Sequence, residues 1–567
     1  MPQGSEHTVE ACGFERGVAF QRAHKDFLAS LSWGDERRSL SNNVIPYASD
    51  LLSIVMSGPS RMEAYSALLD KWKEIAVLQS TSSIVNWDME TKMPPKGLEL
   101  RSQQLAQLKL INHRMITSPE IRGLLQRVEK DSEFKNFDPV LRRNVHLVRK
   151  AYDESSKLPE QLVFDTAKQQ TIAVGVWKQA KAARDYGLFK SELAKMIELK
   201  MKVAEILMDV KGTKTPYDAL LDSYEPRMTA DRITEVFNEM RDGLIMVLKM
   251  IQGSGIEPDQ SILARPVPVE TQKKISDETM GFIGYDTKSP KAGGRLDETE
   301  HPFTTGYYDD VRITTHYHEN RFSSSLYSVL HEGGHALYEQ NLPRQWIYQP
   351  IGSSASYGIH ESQSRFVENM VGRSPEFLGF MFPKLKRIVG KPLRGVKLRD
   401  FVAASNRVKP SKIRIEADEV TYGLHIIIRF EIERDIFAGR LRVDELPQVW
   451  NEKYDKYLGV EIENDSEGMM QDTHWASGSY GYFPSYAMGN IYGGMFLRKI
   501  TKDLPRWKKD LKKGNFGPVK SWLVENVHSK ANLYDPADLV KQITGQNLTV
   551  GPFITYLEQK FRRIYSL

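Results

Sequence analysis

The sequence predicts a mainly α-helical protein with one small β-sheet. Three observations carry this expectation: long stretches in which apolar residues recur at helical spacing, proline-rich breaks near 94, 216, 265 and 343, and a scarcity of alternating, β-branched runs. From residue 62, Tyr65, Leu68, Leu69, Trp72, Ile75 and Leu78 recur at i, i+3, i+4, i+7, i+10 and i+13 of one helical face. Helical patterns continue over 98–130, 140–154, 160–210, 229–252, 321–342, 359–373, 412–438 and 445–458. The clearest strand signal is 310–315, where Val311, Ile313, Thr314 and Thr315 supply β-branched residues and a period of two, just before the helix at 321.

The first 61 residues are of another kind. They mix seven Asp/Glu with six Lys/Arg, lack an apolar h-region and show weak periodicity, which argues against a secretory signal and against an acid-poor mitochondrial leader. They read as a loosely ordered extension, with Met62 an alternative start and 62–567 the folded catalytic part. A net charge of +5 over 567 residues gives no general case for nucleic-acid binding, and no apolar window approaches the 18 residues of a membrane span. A lone cysteine, Cys12, excludes an intramolecular disulfide and fits a reducing compartment, so a cytoplasmic location is expected.

The chemistry concentrates in 326–340, where His331, Glu332 and His335 form an H-E-x-x-H run between apolar residues. On a helix, positions i and i+4 stand one above the other, so the two imidazoles can grip one metal ion while Glu332 projects beside them. Neutral imidazole suits Zn²⁺, and a carboxylate next to the ion can take a proton from the water it activates. Leu326, Val329, Leu330 and Leu337 give this helix a buried face, and Ser323 to Ser325 are its N-cap candidates. Gly333 and Gly334 cost about 1 kcal/mol each inside a helix, which points to a close approach by substrate or backbone. Catalytic zinc usually has three protein ligands, and Glu361 is the choice for the third: it comes after a small-residue linker, 352–358, and opens another amphipathic pattern that can pack beside the first. Co²⁺ or Mn²⁺ could use the same donors.

Further segments agree with one family. HPF (301–303), DVRIT (310–314), HESQ (360–363), RIEAD (414–418), GMMQDTHW (468–475) and, earlier, WDMETKMP (87–94) resemble, together with the H-E-x-x-H run and in the same order, the signature set of the M32 metallocarboxypeptidases, the carboxypeptidase Taq family. The resemblance covers about 62–567 and leaves out only the extension. It implies a neurolysin-like gluzincin fold with a deep active-site groove, a homodimer, and removal of single residues from the free C-terminus of peptides. It also implies Arg414 as the residue that receives the substrate carboxylate, a role an Arg fork suits by shape. The alternative for Arg414 is an ion pair with Glu416 or Asp418 in its own helix. His474 and Tyr486 resemble the oxyanion donors of gluzincins, with Tyr482 a near competitor, and Asp472 is a candidate to orient His474 or a ligand imidazole. Tyr482, His301 and Arg312 are the remaining substrate-binding candidates, although Arg312 could simply pair with Asp310 beneath the groove. The competing functions are an oligopeptidase that cuts internal bonds and a noncatalytic metal- or peptide-binding protein.

Overall fold

Proline residues and short side-chain oxygens decide where helices stop in the computed structural model, which describes residues 59–567. The stretch expected as one helix over 98–130 is two, Leu98–Ile116 and Pro119–Glu129. Pro119 has no N–H to continue the first, and Ser118 caps the second by accepting from the backbone N–H of Ile121 at 3.3 Å. The stretch 160–210 breaks into Glu160–Ala183 and Tyr186–Lys211, because Arg184 takes a left-handed φ of 57° and Asp185 caps the second of these helices. The helix expected from 412 begins only at Tyr422 and ends at Phe437. Before it, the Asp418 carboxylate accepts from the N–H groups of Val420 and Thr421 at 2.9 and 3.0 Å, a local turn that competes with helix.

The first helix, Pro59–Thr91, buries Tyr65, Leu68 and Ile75 against Ile121, Leu125 and Val148, as the apolar spacing predicts. The expected loose extension lies outside the described residues, save 59–61, which open this helix. Among the described residues no helix is long and apolar enough to cross a membrane.

The sheet has three strands, β1 (Gly294–Glu298), β2 (Thr304–Tyr307) and β3 (Asp310–Thr315), in the order β1-β3-β2. β3 is central, parallel to β1 with Leu296 opposite Ile313, and antiparallel to β2 with Thr304 opposite Ile313. Val311 and Ile313 are fully buried, and the helix Phe322–Gln340 packs on β3 and β2. β1 reads Gly-Arg-Leu-Asp-Glu and β2 is four residues long, so neither has the alternation that makes β3 legible.

Leu326, Val329, Leu330 and Leu337 of Phe322–Gln340 are buried as expected. The serines are not its cap: the helix starts at Phe322, and Ser325 lies within it, donating to the Phe322 carbonyl at 3.0 Å. Its glycines permit close packing. A Cβ on Gly334 would stand 2.6 Å from the carbonyl oxygen of Gln363 and 2.7 Å from Cα of Ser364, so the neighbouring helix Tyr357–Arg365 rests directly on this one. The approach that Gly334 permits is therefore one of backbone. Behind Tyr357–Arg365 lies Phe483–Asp503, where a Cβ on Gly489 would meet Cγ of Glu361 at 2.7 Å. Glu361 is thus enclosed from both sides by glycine-lined helices.

Candidate metal centre

The close helix contact at Gly334 brings three donors together. Nε2 of His335 lies 3.3 Å from Oε2 of Glu361, and Nε2 of His331 lies 3.8 Å from the same oxygen. Ligand atoms of His331, His335 and Glu361 all fall within 4.8 Å of one another. The packing of two linked helices that the sequence suggested is the one observed.

The imidazoles are held by residues other than Asp472, the orienting candidate read from the sequence. His331 is bonded through Nδ1 to Oε2 of Glu368 at 2.9 Å, and Glu368 also receives Nη2 of Arg373 at 3.1 Å. Glu368 sits in a π-helical turn, Phe366–Gly372, that continues Tyr357–Arg365. His335 faces His360, Nδ1 to Nδ1, at 2.5 Å, and Nε2 of His360 lies 2.8 Å from Oε1 of Glu339. Glu339 stands one turn after His335 on the same helix face, which was the available signal, but it could be read only once His360 was known to pack there. Both histidines of the H-E-x-x-H run thus have Nδ1 committed and Nε2 turned toward Glu361.

The electrostatics suit a cation. Burial, with His360 adjacent, lowers His335 to about 3, so its imidazole is neutral at physiological pH. Burial opposes ionisation of Glu361, yet Arg365, whose Nε donates to Oε1 at 2.7 Å, and the two histidines hold its carboxylate well below the usual range. Two neutral-capable imidazole nitrogens and one carboxylate oxygen form a His₂Glu donor set that fits Zn²⁺. Glu332, one residue along, is buried, and its Oε2 accepts from the Thr304 hydroxyl of β2 at 2.6 Å. Burial, reinforced by Glu361 and Glu368, pushes its carboxyl upward.

The family model for carboxypeptidase Taq (M32) metallopeptidases matches residues 67–561. The chain belongs to that family. Similar proteins align with nearly nine tenths of it. Thermostable carboxypeptidase 1 of Thermus thermophilus is 40% identical over 510 residues, 89% of this chain and 99% of its own. Carboxypeptidase 1 of Bacillus subtilis is 38% identical over 502 residues, 88% and 98% of the two chains. The crystal structure of the M32 carboxypeptidase from Deinococcus radiodurans R1 superposes with a TM-score of 0.85 at 32% identity, covering 89% of this chain and all of that one. As an M32 enzyme the protein is a metal-dependent peptide hydrolase, mainly helical with its small sheet beside the candidate centre.

Beyond the donors, the M32 segments assemble a second cluster. Arg414 is buried and makes neither of the intrahelical pairs considered for it. Glu416 binds Arg321 at 3.2 Å, Asp418 forms the turn before Tyr422, and Arg414 itself donates from Nε and Nη2 to Oδ1 of Asp472 at 3.0 and 2.8 Å. Arg429, fully buried, takes the other oxygen of Asp472 through Nε at 2.7 Å. Asp472 therefore does not bond to His474 or to a ligand imidazole, because both of its oxygens are held by guanidinium groups. Two cations share one anion, leaving positive charge at Arg414. His474 carries Nε2 3.3 Å from the Tyr486 hydroxyl, and burial lowers it to about 4, so it is neutral above that pH. Tyr482 meets the His474 ring at 5.6 Å and the Tyr486 ring at 5.1 Å.

Arg312 takes the structural pairing: Nε and Nη2 donate to the two oxygens of Asp310, both at 2.7 Å, and the guanidinium lies 4.3 Å from the Trp87 ring centre. His301 is exposed between β1 and β2.

Proposed function

We propose that this chain is a zinc-dependent carboxypeptidase that hydrolyses the last peptide bond of peptides and releases single amino acids. The observation that carries the reading is the pairing of a His331–His335–Glu361 donor set with a buried glutamate at the next position, Glu332. A bound zinc ion, or Co²⁺ or Mn²⁺ on the same donors, would supply Lewis-acid polarisation of the scissile carbonyl and a lowered pKa for water. Glu332, positioned by Thr304, takes a proton from the attacking water and returns it to the leaving amine. Its raised pKa brings it nearer the operating pH of such a base. Tyr486 and neutral His474 are the donors for the oxyanion that develops on the scissile carbonyl. Arg414 receives the terminal carboxylate, supported by the excess positive charge that it and Arg429 leave over Asp472. The same reading takes the enzyme as a cytoplasmic homodimer, on family resemblance for the dimer and on the single cysteine for the compartment.

The test is mass spectrometry of a short peptide incubated with the Zn²⁺-loaded chain, beside its C-terminally amidated twin and a chelator control. A ladder of single losses from the free C-terminus, absent with the amide and with chelator, is the expected result. Internal fragments from both peptides would replace this reading with an oligopeptidase, and absence of cleavage with any of the three metals would replace it with a binding protein.

A further inference from the structure

Tyr357 opens the Glu361 helix and is 51% exposed. A single exposed tyrosine requires no explanation. This one belongs to a fixed group. Its ring meets Tyr224 at 5.4 Å and Tyr482 at 5.4 Å, and those two meet at 5.1 Å, all edge to face. The backbone holds the rings in place: the N–H of Tyr357 donates to the Tyr224 carbonyl at 3.1 Å. Next to Tyr224, buried Glu225 accepts from the Gly358 N–H and the Ser356 hydroxyl, both at 3.1 Å, and from the Tyr492 hydroxyl at 2.6 Å. Tyr482 then joins the group to the oxyanion donors His474 and Tyr486 through the ring contacts already described. An aromatic wall therefore runs continuously from the oxyanion donors to solvent.

The helix Tyr357–Arg365 gives the wall a direction. At its far end the Arg365 guanidinium lies 4.1 Å from the Tyr422 ring centre, and the Tyr422 hydroxyl accepts from Nη1 of Arg414 at 3.2 Å. Glu361 is midway, and a rise of 1.5 Å per residue puts Tyr357 and Arg365 each about 6 Å from it along the axis. Resting on the reading that Arg414 takes the terminal carboxylate, a bound peptide has its last residue toward Arg365, its scissile bond level with Glu361, and the residue before that bond toward Tyr357. An extended chain advances about 3.3–3.6 Å per residue, so about 6 Å spans the penultimate residue and its side chain.

We propose that Tyr357, Tyr224 and Tyr482 form the subsite for the side chain of the penultimate residue, and that it selects aromatic or large apolar side chains. Ring edges and faces favour such groups, and the backbone bonds that hold the wall remove the ordering cost of building it on binding.

The test compares N-blocked tetrapeptides with a constant last residue and Phe or Ala either penultimate or third from the end, on the full Zn²⁺-loaded chain. The expected result is a preference of about tenfold in kcat/KM for penultimate Phe over Ala, carried mainly by KM, which falls at least fivefold in Tyr357→Ala and is kept in Tyr357→Phe. Binding of the same peptides to Glu332→Gln, followed by anisotropy of an N-terminal fluorophore, should show the same preference and the same loss when Tyr357→Ala is added. A wild-type preference near one, a preference unmoved by Tyr357→Ala, or one located at the third residue would overturn the subsite. Absence of C-terminal cleavage by the wild type would instead reject the carboxypeptidase reading, and the binding arm would then decide the wall by itself.

Discussion

Nδ1 of His335 lies 2.5 Å from Nδ1 of His360. Only one of the two nitrogens can carry the proton in this bond. With the Nε2–H of His360 donating to Oε1 of Glu339 at 2.8 Å, Nδ1 of His360 accepts and the Nδ1–H of His335 donates, which leaves the Nε2 lone pair of His335 for a metal ion. His331 differs in being held directly by a carboxylate, Glu368. The two imidazoles of one H-E-x-x-H run are therefore oriented by different devices.

Removing the relay should loosen the metal without unfolding the chain. His360→Ala is expected to weaken Zn²⁺ affinity about 10- to 100-fold, measured by competition with a chromogenic chelator, with the far-UV spectrum unchanged. Unchanged affinity would mean that packing alone orients His335.

Glu332→Gln separates binding from chemistry. The amide keeps the size of the side chain and lies outside the His331–His335–Glu361 set, so the bound metal should stay near one per chain while kcat falls by at least about 10³-fold. The checks are elemental analysis and peptide turnover, and retained turnover would remove Glu332 from the base role.

The three candidate donors were legible because their signal is local. The spacing of His331 and His335 is fixed by helix geometry, and Glu361 begins the next helical pattern. His360, although inside a recognised segment, could not be linked to Glu339 without the helix contact at Gly334. Arg414 and Asp472 are 58 residues apart, so the charge cluster depends on packing that no periodicity reports. The helix breaks at Ser118–Pro119 and before Tyr422 were missed for a different reason: a single proline, or side-chain oxygens competing for backbone N–H groups, interrupt a helix without disturbing its apolar spacing.

Gly334→Ala tests the helix contact itself. Its new methyl would meet backbone atoms, which cannot swing away, whereas at Gly333 it would meet Cδ1 of Ile283 at 2.3 Å, the tip of a side chain that can. Gly334→Ala should cost about 1–3 kcal/mol and also weaken Zn²⁺ binding, since Glu361 moves with its helix, while Gly333→Ala should be milder on both counts. Heat unfolding of the two apo variants, with metal titration, makes the comparison. Equal effects would contradict it.

Glu225 makes stability depend on pH. Burial raises its carboxyl from 4.5 to about 7 despite three hydrogen-bond donors. Between those values the folded state binds more protons than the unfolded one, so the contribution is fully present below about pH 4.5 and is lost as pH rises through about 7. The total is on the order of 3 kcal/mol at 1.36 kcal/mol per unit. The unfolding midpoint should therefore decline from pH 5 to 8, and Glu225→Gln, which does not titrate, should flatten part of that decline. An unaltered slope would mean that Glu225 keeps its ordinary pKa.

Arg414 should govern recognition of the chain end without being needed for folding. If it is replaced by Ala, Asp472 keeps its pairing with Arg429, so no buried carboxylate is left unpaired and the cluster changes from net positive to neutral. The lost charge is the one assigned to the substrate carboxylate. Arg414→Ala is thus expected to lower kcat/KM for free peptides by about 10²-fold, mostly through KM, and to shrink the discrimination between free and amidated C-termini. Arg414→Lys restores the charge but not the fork and should recover only part of the loss. Parallel kinetics on the free and amidated peptides give the answer, and discrimination that survives Arg414→Ala would place the carboxylate anchor on another residue.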